Sequence, residues 1–514
     1  MKDDVVYFLQ GACAGVSAFV QEEADTAHRN ANFAAVGALV PLSHGRMGRG
    51  WVLAPELRRL ARDVVKKSSG QDTDALEAFW EKYKQDGDGR DAPPASPSTS
   101  RNSVPASLDR RKRARSDVTG GLSSDQEVGL DHPALCMPEL LDTFGPLVFP
   151  LFRAALLRKR ILLLGQPPVQ QTCNFIYVLS VLANIPPSLR EVLQPDAETT
   201  LRFQPLFSVG VSDIPTLSEQ KQRQGWLACT TDDILRDRHQ LYDLLVTMPG
   251  PNLNPAKHRW PIISTSVGAP AKATQRDLRR YRLLRSELNR IQLERERYHD
   301  HPPSSSGSHP SETEDSPETL PLLPTTTILN EVRSGLTSAD DTLAVEPTSW
   351  AAMAYNGFLW WASAGEMEAW ESEEVRADRE LLDDLPDLDV IVSASSASPS
   401  ASRTSFSSAQ REDERQKSLH KARATAMVVT AYFHRLTAQI LGAMGEVVEA
   451  ADDETEEGVA EEGVRVSGEE IKAMGLDAWS EGDRDFVREA MVVWFGREAV
   501  VDGGGTKVCG VRVC

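Results

Sequence analysis

The chain has 514 residues, 40% of them hydrophobic and 25% charged, with a formal net charge of −19 and six cysteines. This length suits two or three domains, and the acidic balance disfavours a nucleic-acid-binding role because counterion release rewards basic surfaces. The cysteines indicate no disulfide framework, the N-terminus lacks the apolar region of a signal peptide, and no window of membrane-spanning length is free of charge, so we expect a cytoplasmic protein.

Residues 1–84 have the pattern of a small α+β module. Short apolar runs separated by turn residues predict strands, and apolar residues at helical spacing predict helices. The predicted strands cover residues 5–9, 17–20 and 33–42, and the predicted helices cover residues 55–67 and 74–84. Three short strands make a thin sheet, and the chain begins on one of them. We therefore expect this module to be partial, with residues upstream of it missing.

Low-complexity stretches divide the rest of the chain. Their Pro, Ser, Gly and acidic composition cannot bury enough apolar surface to offset chain entropy, which predicts disorder. The predicted linkers are residues 85–131, 301–319 and 393–414, and a further acidic loop covers residues 449–464.

Residues 132–300 alternate strands and helices. A buried strand over residues 161–164 leads through a turn at Gly165 into an apolar helix that ends before Pro186. Further strand–helix patterns follow at residues 201–215, 225–249 and 260–267, and a charged helix with one narrow apolar stripe covers residues 274–298. This alternation predicts a Rossmann-like, doubly wound α/β module with a mostly parallel sheet.

The Gly165 turn lies where such a fold binds phosphate, but it lacks the chemistry for it. A phosphate loop needs several glycines, with a Lys and a Ser or Thr to follow. Gly165 is instead followed by Gln166, Pro167 and Pro168, and proline supplies no N–H donor. The turn therefore favours a structural corner over a nucleotide site.

The C-terminal part is predicted to be mostly helical. Residues 320–392 form a helical, aromatic-rich segment, and residues 415–514 form a helical region that contains the acidic loop. Two helix starts carry capping-box patterns, Ser467 with Glu470 and Ser480 with Asp483.

Candidate chemical groups have simpler structural interpretations. Asp232 and Asp233 suit a helix start better than an acid–base pair or a cation site. Residues 298–301 contain possible metal ligands where a helix frays, and the basic run 109–115 is a solvated linker or an import or anionic-surface patch. Trp350, Trp360 and Trp361 favour a buried helix over a partner surface. We predict no catalytic side chains, no cofactor and no metal.

The order of three sequence stretches resembles a known family. Residues 5–21 and 29–51, followed by residues 132–169 with their LLLG strand, are similar to the tripartite DENN-domain proteins, closest to the LCHN-like branch. The resemblance covers residues 3–67 and 132–249. Residues 348–366 and 508–514 are similar to a fungal C-terminal domain of unknown function that accompanies this branch. The resemblance implies a longin module followed by a central DENN module.

Membership of this family implies guanine-nucleotide exchange on a Rab GTPase in vesicle traffic. The longin and central modules jointly grip the GTPase, so the partner would bind in the groove between them, near Arg46, Arg49, Trp51, Gly165 and Gln166. The protein would be cytoplasmic, peripheral on Golgi, endosomal or vesicle membranes. The alternatives are a Rab-binding or trafficking scaffold without exchange activity and a Rossmann-like nucleotide-binding enzyme.

Overall fold

The computed structural model describes residues 2–23, 31–66, 73–84, 131–193, 201–219, 225–250, 260–300, 344–347, 366–383, 406–456, 463–502, 506–508 and 511–513. The predicted linker 301–319, the tryptophan-rich run 348–365 and the basic run 109–115 lie outside these residues, as does all of the predicted linker 85–131 except its last residue.

The first module contains three long strands. They are β1 (Lys2–Gln10), β2 (Cys13–Glu23) and β3 (Ala31–Pro41), each paired antiparallel with the next over its whole length. They are nine to eleven residues long, so the prediction of short strands was wrong. Their ends contain polar residues such as Asp3 and Glu22, which breaks the apolar pattern but not the pairing. Helices α1 (Ala54–Lys66) and α2 (Asp74–Tyr83) follow as predicted.

The strands of both modules form one sheet. The central module adds β4 (Ile161–Leu164), β5 (Gln204–Ser208), β6 (Trp226–Thr230), β7 (Leu244–Thr247) and β8 (Ile262–Thr265). The eight strands lie in the order β3-β2-β1-β5-β6-β4-β7-β8. The four adjacent strands β5, β6, β4 and β7 are parallel to one another. Strand β1 joins β5 in antiparallel orientation through the pair Phe8 and Phe207. The thin sheet expected for the first module is therefore one wing of a larger one.

Helices cover both faces of the parallel strands. The central module contains α3 (Met137–Phe144), α4 (Val148–Leu156), α5 (Gln170–Leu182), α6 (Ile214–Glu219) and α7 (Asp233–Arg236). Alternate residues of β4 enter different cores: Ile161 and Leu163 pack in the larger core with α5, and Leu162 packs in a smaller core with Leu217 of α6 and Leu235 of α7. This arrangement confirms the predicted doubly wound α/β architecture.

The C-terminal part is mostly helical, as predicted. It follows α8 (Gln275–Asp300) and contains α9 (Glu366–Asp383), α10 (Phe406–Glu456), α11 (Gly468–Ala473) and α12 (Glu481–Ala490), which continues as a π-helical turn over Met491–Phe495. Two small sheets pair β9 (Val464–Val466) with β10 (Ala499–Val501) and β11 (Thr506–Val508) with β12 (Val511–Val513).

Helix α10 is longer and more deeply buried than its sequence predicts. Its 51 residues begin inside the predicted linker 393–414 and end inside the predicted acidic loop 449–464. Residues 424–430 are all buried, so this stretch has no exposed face, and Thr430 and Thr437 donate their hydroxyls to carbonyls of the same helix. A helix stretch that is buried on all sides belongs in a core, and Phe433 of α10 packs against Phe149 and Phe152 of α4.

Within the described part of the chain, one stretch has the length and hydropathy of a membrane span. It runs over Pro133–Leu156, and 67% of its most apolar window is buried inside the structure. Helices α3 and α4 divide it, and their buried residues belong to the main core. By itself, this stretch is weak support for membrane insertion.

Candidate partner-binding site

Arg46 connects the first module to the end of α5. Its Nη1 donates to Ser180 Oγ and its Nη2 donates to Asn184 Oδ1 over 3.2 Å. The guanidinium also lies above the ring of Tyr177, with 5.8 Å from Cζ to the ring centroid. A side chain held by two hydrogen bonds and a cation–π contact positions the modules against each other.

Trp51 is buried in the same junction. Only 8% of its surface is exposed, and its ring meets the edges of His132 at 4.8 Å and Tyr177 at 5.8 Å between centroids. Edge-to-face packing of this kind adds about 0.5–1.5 kcal/mol per pair beyond the burial of apolar area. Trp51 therefore stabilises the junction and offers little surface to a partner.

The segment Arg46–Val52 turns sharply, which separates the roles of its side chains. Met47, Gly48 and Arg49 all have φ between 55° and 59°, the left-handed region. A Cβ at Gly48 would lie 2.9 Å from the carbonyl oxygen of Pro41, so this position requires glycine. The turn directs Arg46 and Trp51 inward and leaves Arg49 exposed.

Gly165 and Gln166 lie at the opposite end of α5. The Gly165 N–H donates to the Thr230 carbonyl over 3.0 Å, continuing the sheet ladder beyond β4. A Cβ on Gly165 would approach Thr172 Cγ2 to 3.2 Å, which explains the small residue at the corner. Gln166 is exposed, and its side chain lies beside Gly250 in the chain that follows β7.

The start of α5 is occupied by a carboxylate from the first module. Asp4 of β1 accepts a hydrogen bond from the Val169 N–H over 2.7 Å and another from the Gln170 N–H over 3.0 Å. Nucleotide-binding α/β folds place phosphate at this helix N-terminus. The position is therefore filled by the chain itself, which supports the prediction that this corner is structural.

A second contact from the first module reinforces the same corner. Arg58 of α1 donates to Asp131 Oδ1 over 2.6 Å and to Gln170 Oε1 over 2.8 Å. Asp4 and Arg58 lie more than a hundred residues from Gln170 in sequence. No local pattern could have revealed these contacts.

The five predicted partner-binding residues do not form one cluster. Arg46 and Trp51 both contact Tyr177 in the second half of α5, whereas Gly165 and Gln166 precede the first residue of this helix, Gln170. Of the five, only Arg49 and Gln166 are exposed. These two side chains are the ones able to reach a partner directly.

Asp232 and Asp233 stand at a helix start, as predicted, but the cap is incomplete. Helix α7 has only four residues, and Asp232 occupies its N-cap position without accepting a side-chain hydrogen bond. The described residues contain no group of three or more His, Cys, Asp or Glu side chains able to hold a metal ion. Residues 298–300 are described as helix without their side chains.

Buried ion pairs attach the C-terminal part to the central module. Arg153 of α4 makes a bidentate pair with Asp277 of α8, at 2.9 and 2.7 Å. Its Nε lies 3.2 Å from Asp483 Oδ1 of α12, but this contact is not aligned as a hydrogen bond. Asp378 of α9 is fully buried among Arg276, Arg279 and Arg280 of α8.

The capping boxes have different outcomes. Ser467 and Glu470 form the complete reciprocal box that was predicted. Ser480 accepts from the Asp483 N–H over 3.3 Å, but the Asp483 carboxylate accepts from the Asp477 N–H instead of returning to Ser480. The Asp483 carboxylate therefore contacts the Asp477 N–H and Arg153 and does not complete the capping box.

Arg158 is enclosed by aromatic rings from both parts. Its guanidinium lies 5.3 Å from the ring centroid of Phe203 and 5.0 Å from that of Trp494, in the π-helical turn. It donates to the carbonyls of Ala155 and Ala183, each over 2.9 Å, and to that of Leu201. Burial lowers the pKa of Arg158 to about 9, so the side chain is still charged at neutral pH.

Comparison with known proteins places this arrangement in a family. The model of the family described as DENN domain-containing protein 11 matches residues 1–258, half of the chain. The chain belongs to this family. The DENN match covers all eight strands except β8 and includes the junction around α5. A separate model, described as a domain of unknown function (DUF4484), matches residues 345–463 and 454–514. These residues are the C-terminal part, which Arg153, Arg158 and the α8 arginines attach to the central module.

Individual relatives match over shorter stretches. The chain is 35% identical to DENN domain-containing protein 11 of Danio rerio over 133 residues, 26% of this chain and 24% of the relative. For the Xenopus laevis protein of that name the identity is 37% over 133 residues, 26% of this chain and 28% of the relative. For Uncharacterized protein ANR2 of Saccharomyces cerevisiae it is 32% over 161 residues, 30% of each chain. The matches thus span less than a third of these relatives, and no solved structure matches.

Proposed function

We propose that this DENN protein regulates vesicle traffic by accelerating guanine-nucleotide exchange on a Rab GTPase, acting from the cytoplasm at the surface of Golgi, endosomal or vesicle membranes. Family membership supports a DENN-type regulator, and the resemblance of the first two modules implies the exchange activity. The chain would need no nucleotide site of its own, because the nucleotide belongs to the partner.

The observation that carries this proposal is the carboxylate at the start of α5. Asp4 accepts from both N–H groups that would otherwise face an anion. A second anion there would meet a negative charge and find its donors already used. This disfavours the alternative of a Rossmann-like nucleotide-binding enzyme, and it favours a role in which the corner braces two modules that act together.

The rigid junction supports a joint grip on the GTPase. Arg46, Trp51, Arg58 and Asp4 all bridge from the first module to α5 or its ends. A surface built on two modules holds its geometry only if they do not slide, and an exchange factor must hold the GTPase in a distorted shape that binds nucleotide poorly.

The test uses the full chain and purified Rab proteins loaded with a fluorescent GDP analogue. Release of the analogue is followed after adding excess unlabelled GTP, with and without the chain. We expect at least a tenfold acceleration for at least one Rab. Stable binding to a Rab with unchanged release would instead identify a scaffold, and the absence of both from a complete Rab panel would contradict the proposal.

Two exposed residues allow the surface to be tested on the responsive Rab. We expect the double variant Arg49→Ala/Gln166→Ala to slow exchange at least tenfold without changing the thermal unfolding midpoint, because both side chains are exposed. The control is Arg376→Ala on α9, whose side chain is also mostly exposed, at 69%. Equal exchange rates for the double variant and for Arg376→Ala would show that the contact surface lies elsewhere.

A further inference from the structure

Two cysteines from different elements meet in the main core. Cys173 lies on α5 and Cys229 lies on β6, and their sulfur atoms are 3.6 Å apart although 56 residues separate them in the chain. Both side chains are buried, whereas Cys13 and Cys136 are only partly buried. The packing of α5 on the sheet therefore places two thiols in direct contact.

The two thiols form a short chain of hydrogen bonds that ends on the first module. The Cys173 thiol donates to the Tyr7 carbonyl of β1 over 3.8 Å. Because the Cys173 proton is used in that bond, Cys173 Sγ is left to accept from the Cys229 thiol. The pair thus lies where α5 packs against strands of both modules.

We propose that Cys173 and Cys229 are a redox-sensitive pair, which hydrogen peroxide converts into an intramolecular disulfide. The sulfurs of a disulfide are about 2.05 Å apart, so each sulfur has to move by about 0.8 Å. The two side chains already point at each other, and this movement is small for a side chain. In a reducing compartment disulfides are usually transient and redox-sensing, which suits a pair that otherwise packs as thiols.

The reaction needs one molecule of peroxide. One cysteine, as its thiolate, attacks a peroxide oxygen, so an S–O bond forms, the O–O bond breaks and hydroxide leaves. The second thiol then attacks the resulting sulfenic sulfur, so the S–S bond forms and water leaves. The two sulfurs lose two electrons, which reduce the peroxide, and both thiol protons end in the two waters formed. Oxidation also removes the proton that Cys173 donates to the Tyr7 carbonyl.

The start of α5 controls access to the pair. Cys173 lies in the first turn of α5, and the first residue of that helix, Gln170, is bonded to Asp4 and Arg58. The hydrogen bond with Cys173 and burial raise the pKa of Cys229, and the nearby charge of Asp4 adds to this shift. The reactive thiolate therefore forms when this turn opens. This inference does not depend on the proposed exchange activity.

Peptide mapping of the full chain without reductant tests the pair. The folded protein is treated with hydrogen peroxide, its remaining thiols are alkylated, and it is digested with trypsin. We expect residues 161–190 to be linked to residues 224–236, at the summed peptide mass less two hydrogen atoms, and the link to disappear on reduction. Free or over-oxidised thiols at both positions, or a link that forms only in denaturant, would overturn the proposal.

The variant Asp4→Ala tests the route of access. It releases the start of α5 and removes a negative charge near Cys229. We expect the linked peptides to form about tenfold faster than in the wild type, because loss of a cap favours local opening. The control is Asp3→Ala, whose carboxylate accepts from Arg62 of α1, and it should react at the wild-type rate. An unchanged rate for Asp4→Ala, or an equal acceleration in Asp3→Ala, would overturn the role given to the start of α5.

Discussion

The Asp4 carboxylate replaces, from a distant strand, the anion that many α/β proteins bind at the start of a helix. A helix N-terminus leaves backbone N–H groups without partners, and a negative charge there is stabilising. Helix α5 begins with Val169 and Gln170, neither of which has a carboxylate to cap it, and its N-cap makes no side-chain hydrogen bond. Asp4 provides the cap and, by doing so, fixes the first module to the second.

Replacing Asp4 tests this role. Asp4→Ala removes the acceptor for two N–H groups, and we expect it to lower the free energy of unfolding by about 1–2 kcal/mol, the range for lost caps. Denaturant titration measures the change.

The neighbouring residue provides the control. Asp3 accepts from Arg62, whose side chain is 43% exposed, and exposed ion pairs contribute about 0–1 kcal/mol. Asp3→Ala should therefore lower the free energy of unfolding by less than Asp4→Ala does. If both variants lose the same free energy of unfolding, the Asp4 cap contributes no more than an exposed ion pair.

The sequence predicted the absence of phosphate chemistry at Gly165 but not what replaces it. The two prolines after Gln166 are local information and were sufficient for the negative conclusion. The partners of α5 are not local: Asp4 lies 166 residues from Gln170. For the same reason Arg46 and Trp51 looked like surface residues in the sequence, although the structure uses both inside the junction.

At the scale of elements, buried charges connect α4, α8, α9 and α12. The apolar spacing in α8 correctly predicted burial of Leu284 and Leu288, but it did not predict burial of Arg276 and Arg280. These arginines are buried because Asp378 comes from a separate helix to pair with them. Burial alone would raise the pKa of Asp378, but the surrounding arginines hold it below its usual value.

Asp483 is in the opposite electrostatic situation. It shares Arg153 with Asp277, whose carboxylate takes both Nη groups. Burial raises the pKa of Asp483 to about 6, with Arg153 opposing the shift and Asp277 adding to it. Burial also raises the pKa values of Asp477 and Glu346 in the same region. The ionised forms of these three carboxyls are therefore less stable in the folded protein than in the unfolded chain.

The contribution of Asp483, Asp477 and Glu346 to stability therefore falls as pH rises. A carboxyl whose pKa is raised in the folded state stabilises it fully below its unfolded pKa and loses this effect as pH rises through the folded value. For Asp483 the window runs from the ordinary aspartate pKa of 3.8 to about 6, with a slope on the order of 1 kcal/mol per pH unit.

The variant Asp483→Asn isolates this contribution. Asparagine resembles the protonated carboxyl and does not titrate, so the free energy of unfolding should lose part of its dependence on pH between pH 4 and 6. Chemical denaturation at several pH values measures it. The control is Asp485→Asn, two residues away at an exposed position of the same helix, with a 55%-exposed side chain. Identical pH profiles for the wild type and Asp483→Asn would contradict the interpretation.

At the scale of the whole molecule, the parts of the chain share one hydrophobic core. That core contains Val16 of the first module, Leu163 of the central module, and Phe433 and Trp494 of the C-terminal part. The sequence predicted the class of each part from its periodicity. It did not predict that the first two modules share a sheet, because strand pairing between β1 and β5 leaves no signal in either strand.

Removal of the C-terminal part tests the shared core. A chain ending at residue 300 would expose the α4 side chains Phe149 and Phe152, which normally face Phe433. We expect it to bind hydrophobic dyes and to lose its cooperative thermal transition. A control chain ending at residue 502 removes only the β11–β12 hairpin and should unfold cooperatively. A cooperative transition at the wild-type temperature in the shorter chain would contradict the shared core.

We propose that this DENN protein acts on a nucleotide held by its partner. The most direct measurement is the dissociation rate of fluorescent GDP from each member of a Rab panel at increasing concentrations of the full chain. We expect a saturable increase in this rate for at least one Rab. Rates that equal the intrinsic rate for every Rab, at concentrations where the chain is folded, would contradict it.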